Sequence, residues 1–310
     1  MMDTARYFEP DEVRTLAGGS DSVGFLLIIH CYATMALVLL IFSIWSNFFT
    51  FVLAIMIIGS RQLGLAILMH DAAHGALVAT KSFNEKLGSW LCGSPILADL
   101  FSYRRYHLMH HKHCQTNEDP DRVLSAPFPI TRYSLLRKIF RDVSGQTGIK
   151  SVYSQILNAF RLAFDDDATE HSDKQAQTFK SSLLFRPVIC NTFIFAVMWY
   201  VGAWWWWFTF WLLPLVTWFQ VVIRIRNIAE HAGTEFSTDE LQNVRTTYAN
   251  PLMRLLVAPY WVNYHLEHHL IMHLPCWKLS KVHKLMIQKG YAKKMKLAKS
   301  YAKVLREVIV

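Results

Sequence analysis

The sequence predicts an all-α integral membrane protein, with about four transmembrane helices in two hairpins and a cytosolic helical cap. Three observations predict it. Of 310 residues, 53% are hydrophobic and only 18% charged, against about a quarter charged in soluble domains. The apolar residues gather in runs long enough to cross a bilayer. Histidines cluster just beyond the ends of those runs, and that cap is where chemistry is expected.

The elements follow in order, and the chain reads as one domain over 1–310. Residues 1–23 are polar and acidic, a cytosolic N-terminus without the features of a secretory signal. Residues 24–76 make the first hairpin: Gly24 to Trp45 is apolar, Ser46-Asn47 turns, and Phe48 to Met69 returns. Arg61 interrupts the return span, so it should face protein or snorkel. Residues 77–181 form a cytosolic and re-entrant segment. Within it, Leu87 to Phe101 is half a span long and holds Pro95 and Asp99. A basic helix-like piece surrounds Arg132 to Arg141, and Asp165-Asp-Asp167 reads as a solvated loop. Residues 182–223 make the second hairpin, broken at Gly202, bent at Pro214, and marked by Trp204 to Trp207, whose indoles suit a membrane interface. Residues 224–310 complete the cytosolic part.

Charge sets the orientation. The net charge is +9, and the tail between Lys278 and Arg306 holds ten basic residues, whereas the turns near Ser46 and Gly202 hold none. Positive-inside then puts both termini and the histidine clusters in the cytosol. The same charge, flanking apolar spans, points to an anionic membrane surface and away from nucleic acid. The five cysteines are scattered without a CxxC pair, so neither a disulfide framework nor a zinc finger is expected.

The histidine pattern carries the function. His70 and His74 are four apart; His107, His110 and His111, and again His265, His268 and His269, follow HxxHH. On a helix each set shares a face, and crowded imidazoles usually surround a cation. His231 lies beyond the last span, with Asn227 one turn before it. Eight or nine nitrogens are too many for one tetrahedral ion and suit two, although imidazole alone leaves zinc, copper, iron and nickel open. His113 reads as a surface residue or a neighbour of the ligands, His273 as a loop residue, and His30, His171 and His283 as structural or solvated. Asp71, Asp119, Asp121, Glu230 and Glu267 are available to orient ligating imidazoles. Arg104 and Arg105 suit snorkelling, or contact with an acyl carrier, a headgroup or a redox partner.

His70-Asp-Ala-Ala-His74, His107-Leu-Met-His-His111 and His265-Leu-Glu-His-His269 resemble the three histidine boxes of the membrane fatty-acid desaturase superfamily. That superfamily includes fatty-acyl and sphingolipid desaturases, carotenoid hydroxylases and ketolases. Asn117-Glu-Asp-Pro-Asp121 and the Asn227/His231 pair are similar to further family features, and the likeness runs from about His70 to Pro275. It implies a non-haem di-iron centre that activates O2. By that likeness His70, His74, His107, His110, His111, His231, His265, His268 and His269 would bind two iron ions, with Asn227 holding a water on one of them. The implied reaction is an O2-dependent cis desaturation of a fatty acyl chain in a lipid, or alternatively hydroxylation or ketolation of a lipid or carotenoid. A separate electron donor of ferredoxin or cytochrome type is expected, because the chain has no bis-histidine module to spare.

Two rivals fit less well. A membrane zinc hydrolase would want HExxH with a glutamate base, but the first cluster is HDAAH and the other two would go unexplained. A metal-binding transporter would place polar groups at mid-membrane, not in a cap.

Overall fold

A computed structural model describes residues 6–16, 18–164, 184–237 and 239–310, apart from the side chains of 155 and 158–164. The acidic loop at Asp165–Asp167 and His171 lie outside the described residues. The chain is mostly helical.

The first apolar run folds as α1 (Asp21–Ile44), started by Ser20, whose hydroxyl accepts the Val23 N–H. Most of its surface faces outward. Asn47 then caps α2 (Phe48–Ala73) through a reciprocal capping box with Thr50, so the two helices meet in the tight turn that Ser46-Asn47 predicts. Most of α2 is buried, making it the central helix. Arg61 faces protein: its Nη2 donates to the carbonyls of Leu255 (2.9 Å) and Arg254 (3.2 Å), and its guanidinium lies over the Tyr260 ring.

The half-length apolar stretch is not one helix. After Lys81–Leu87 it winds through a π turn (Gly88–Gly93) and a 3-10 turn (Ser94–Ile96). Carbonyls freed by this irregularity accept from side chains of the second hairpin, Trp211 Nε1 on Pro95 and Asn191 Nδ2 on Ser94. Asp99 caps α3 (Leu100–His113), the helix of the second histidine set. The basic piece becomes α4 (Arg132–Val143), followed by α5 (Gln146–Phe164).

The second apolar block gives α6 (Phe185–Val201), which stops at Gly202, where a Cβ would collide with the Trp206 ring. It also gives α7 (Phe208–His231). The latter opens with a π turn, carries Pro214 in its next turn, and is offset at Thr217 before running straight to His231. Gln62 and Ser60 of α2 bond the Trp211 carbonyl and the Trp218 indole, holding α7 against the central helix. Among the described residues three helices, α1, α2 and α7, are long and apolar enough to cross a membrane; α6 is apolar but has 17 residues. Of the four tryptophans, Trp204 and Trp205 are exposed while Trp206 packs against Phe42 and Phe210.

The C-terminal part returns to the ends of α2 and α7. Thr246–Thr247 pairs in parallel with Leu297–Ala298, bracketing α8 (His265–Leu270) and α9 (Leu279–Gln288), and α10 (Tyr301–Glu307) follows the second strand.

Candidate metal centre

Four helices deliver the histidines to one place. The last turn of α2 supplies His70 and His74, α3 supplies His107, His110 and His111, α7 ends in His231, and α8 carries His265, His268 and His269. All are buried except His231, which is half-buried. They fall into two groups. In the first, one ring nitrogen from each of His70, His74, His107, His111 and His268 lies within 4.8 Å of all the others; in the second, the same holds for His110, His231, His265 and His269.

The two groups cut across the sequence clusters. Within α3 the i, i+4 pair His107/His111 belongs to the first group and His110 to the second. Within α8 the i, i+4 pair His265/His269 belongs to the second and His268 to the first. One face of a helix is wide enough to address two neighbouring points, and the three-residue step separates them.

The nitrogens converge as ligands do. His111 Nε2 stands 2.9 Å from His107 Nε2 and 3.0 Å from His268 Nε2; His265 Nε2 stands 2.9 Å from His231 Nε2 and 3.1 Å from His269 Nε2. A ring nitrogen has one in-plane direction for a proton or lone pair, so it cannot hydrogen-bond two such partners well. Two imidazoles at right angles on one ion, at about the 2.1 Å of zinc sites, have nitrogens about 3 Å apart. His70 Nε2, His110 Nε2 and both nitrogens of His74 are buried without a hydrogen-bond partner, which costs free energy unless something takes their lone pairs. The donor set therefore fits metal ions.

Electrostatics agree. Burial drives the pKa of His74 down to about 3, and burial first, then neighbouring imidazoles, pushes His107, His111, His265, His268 and His269 well below the usual range. These rings are neutral at physiological pH, the form that ligates. At His110 burial acts the same way but is outweighed by the Asp119 hydrogen bond and by the charges of Asp121, Asp119 and Glu230, so its pKa rises.

Acidic side chains orient some of the rings. Asp119 Oδ1 accepts from His110 Nδ1 at 2.8 Å, and Asp121 lies 3.6 Å from the same nitrogen. Asp71 sits 3.4 Å from His70 Nδ1 and accepts the Cys276 N–H. Glu230 pairs with Arg226 at 2.7 Å and stands 3.7 Å from His265 Nδ1. Glu267 turns the other way, to Thr246 and to His283 Nδ1 at 2.6 Å.

Other residues of the sequence reading have plain places. Asn227 is half-buried one turn before His231. His113 pairs with exposed Glu118 at 2.7 Å, His273 bonds the His74 carbonyl, and His30 meets the Tyr260 hydroxyl. His283 is buried rather than solvated, because Glu267 and Tyr248 bond its two nitrogens. Arg104 does not snorkel: it closes the C-terminus of α2 by donating to the Ala72 and Ala73 carbonyls and pairing with Glu85.

Sequence reasoning missed Tyr103, whose ring stacks on His107. It also missed Gln115, whose N–H donates to Asp119 and whose amide bonds the His231 carbonyl. An uncharged side chain outside a repeated pattern carries no signal of its own; only its position three to four residues from a box histidine could have marked either.

The profile of the fatty acid desaturase family matches residues 42–300. The chain belongs to that family. It is 30% identical over 284 residues to a dihydrorhizobitoxine desaturase of Bradyrhizobium elkanii, spanning 87% of this chain and 77% of that one. It is 24% identical over 270 residues to an sn-1 oleoyl-lipid 12-desaturase of a Picosynechococcus strain, spanning 83% and 72%. A beta-carotene ketolase of a Paracoccus strain is 24% identical over 230 residues, spanning 72% and 75%. The protein is thus an oxidoreductase of a family that uses non-haem iron, and it holds a buried histidine cluster of the right kind.

Proposed function

We propose that the protein introduces a cis double bond into the acyl chain of a membrane lipid, with O2 as oxidant and two iron ions. His70, His74, His107, His111 and His268 would hold the first ion, and His110, His231, His265 and His269 the second, with Asn227 beside it. The split of nine histidines into two converging groups carries this reading. Beside them lies a cavity of about 70 Å³ that reaches His70, His265 and His268, with an apolar wall including Ala66, Ile67 and Val262 and with Asp71 and Arg226 also at its edge; that wall has room for a few methylenes of an alkyl chain.

When bound, iron supplies the redox chemistry that reduces O2. The chain's residues hold neutral imidazoles toward two points, keep the rings oriented through Asp119 and Asp71, and exclude water from the reacting carbons. Overall, two adjacent methylenes, O2, two electrons and two protons become a double bond and two waters. The electrons come from a separate ferredoxin-type or cytochrome-type carrier.

The same geometry supports four crossings. The ends of α2 and α7 meet at the histidines, so both point to one side of the membrane. The chain between them must then cross once more, and α6 is the apolar helix described there, at about 26 Å against a hydrocarbon core of about 30 Å. The two hairpins (24–76 and 182–223) then anchor a cap formed by 77–181 and 224–310. The basic tail puts that cap and both termini in the cytosol.

Metal analysis of the purified protein, with mass spectrometry of lipids from a host expressing it, tests the proposal. Two irons per chain and a lipid lacking two hydrogens are expected; one zinc and unchanged lipids would overturn it. Similarity to a ketolase makes oxygen insertion the second reading, and a product that gains oxygen would establish it.

A further inference from the structure

The composition of the stretch between the second histidine set and the second hairpin suggests solvated helices, yet the outward face of α4 is apolar. Tyr133, Leu136, Phe140 and Val143 are 75%, 64%, 65% and 54% exposed. At about 100° per residue they fall within an arc of about 80°. Exposed Arg132 borders one edge of that arc, and exposed Arg137 and Arg141 border the other. The opposite face, with Leu135 and Asp142, is buried against protein. On α5, Ile149 and Tyr153 are exposed four residues apart, beside exposed Lys150.

The pair cannot turn these faces inward. Asp142 is fully buried and accepts from the Arg224 guanidinium of α7 and from the Thr147 hydroxyl. Gly145 makes the corner between the helices with a φ of +81°, and a Cβ on Gly148 would lie 2.4 Å from Val216 Cα. Two helices with exposed apolar stripes are thus fastened rigidly to a helix apolar enough to cross the membrane.

We infer that α4 and α5 form a platform lying in the membrane interface, their apolar stripe below the headgroups and Arg132, Arg137 and Arg141 on anionic lipid phosphates. An apolar arc with cationic edges is the pattern of surface-bound helices, and anionic headgroups complement the arginines. A second copy of this chain fits poorly, because self-association through the stripe would bring arginines against arginines. The platform also sets a depth: Arg224 precedes His231 by seven residues, so the histidines stand about 10 Å beyond the level at which it is fastened. The inference rests on the membrane placement proposed above, and the experiment separates the two.

Single cysteines are placed at Leu136, Ile149, Asn117 and Leu37 (the last an exposed residue of α1) in the full-length protein carrying Cys190→Ser. Each is labelled with an environment-sensitive fluorophore and reconstituted in phosphatidylcholine vesicles with and without phosphatidylglycerol. Labels at 136 and 149 should shift to the blue and be quenched by a lipid-borne quencher near the headgroups, while the label at 117 stays aqueous. R137E/R141E should lower quenching at 136 by about half in the phosphatidylglycerol vesicles. An aqueous label at 136 beside a quenched label at 37 would overturn the platform and leave the spans standing. A label at 136 hidden from both water and lipid would assign the stripe to a protein contact and also overturn it. An unquenched label at 37 would overturn the membrane placement itself.

Discussion

Asp119→Asn should loosen one metal ion and spare the other. Asp119 is buried, and its two oxygens serve different donors: Oδ1 takes His110 Nδ1 and the Asp121 N–H, both at 2.8 Å, and Oδ2 takes the Gln115 N–H at 2.8 Å. Asparagine offers one oxygen. If it faces His110, its amide group points at the Gln115 N–H, donor against donor; if it flips, the clash moves to His110. Either way one hydrogen bond to a charged group is lost, worth about 1.5–3 kcal/mol. That corresponds to about 10–150-fold in affinity, in line with the about 10–100-fold typical of partners one step out from a metal. Of the two histidine groups His110 belongs to the second alone, so the loss should fall on one ion. Competition of the purified protein against a graded iron chelator should show one ion released at lower chelator strength and the other unchanged. Wild-type retention of both ions, or equal weakening of both, would refute the split assignment of the α3 histidines.

Three further outcomes follow from the geometry. His110→Ala or His268→Ala should abolish product and lower bound iron, whereas His113→Ala, whose partner is the exposed Glu118, should match wild type in both product assay and metal content. Asp142→Ala leaves the partly buried Arg224 guanidinium unpaired and should cost about 3 kcal/mol, the low end for breaking a buried ion pair, read as an earlier unfolding midpoint in detergent. The metal-free protein should lose stability in acid: His74 is pushed down to about 3 from an ordinary 6.5, so below about 6.5 the unfolded chain binds a proton that the folded chain refuses. Stability is therefore greatest above that value and falls as pH drops toward 3, in unfolding midpoints of chelator-treated protein; a midpoint that rises with acid would contradict it.

Much of this protein is legible because its chemistry is periodic. Long apolar runs in a bilayer fold as helices, so α1 and α2 emerge to within about four residues at each end, down to the two-residue turn. The box histidines are legible because i, i+3 and i+4 spacing survives into α3 and α8. What is not legible is set by contacts between elements. The three-residue step sets His110 apart from His107 and His111, but no spacing rule says which imidazoles of α2, α7 and α8 each of them joins. Arg104 looks like an interfacial cation in sequence, but the open carbonyls at the end of α2 compete for it. The outward stripe of α4 is hidden for the opposite reason: four arginines and lysines in twelve residues mask an apolar arc that only a known buried face reveals.

Glu267 makes the same point from inside the site. As the acid in the middle of the third box, it reads as a partner for a ligating imidazole. On a helix, however, it stands about 200° from His265 and about 100° from His268, so it turns away from the histidine face. A carboxylate buried there would be prohibitively unfavourable alone. Thr246 from the first short strand and His283 from α9 supply its hydrogen bonds. The parallel pairing of Thr246–Thr247 with Leu297–Ala298 then ties that acid, and through α8 three metal-facing histidines, to the basic C-terminal segment. The tail thereby helps to support the histidine cluster as well as carrying positive charge.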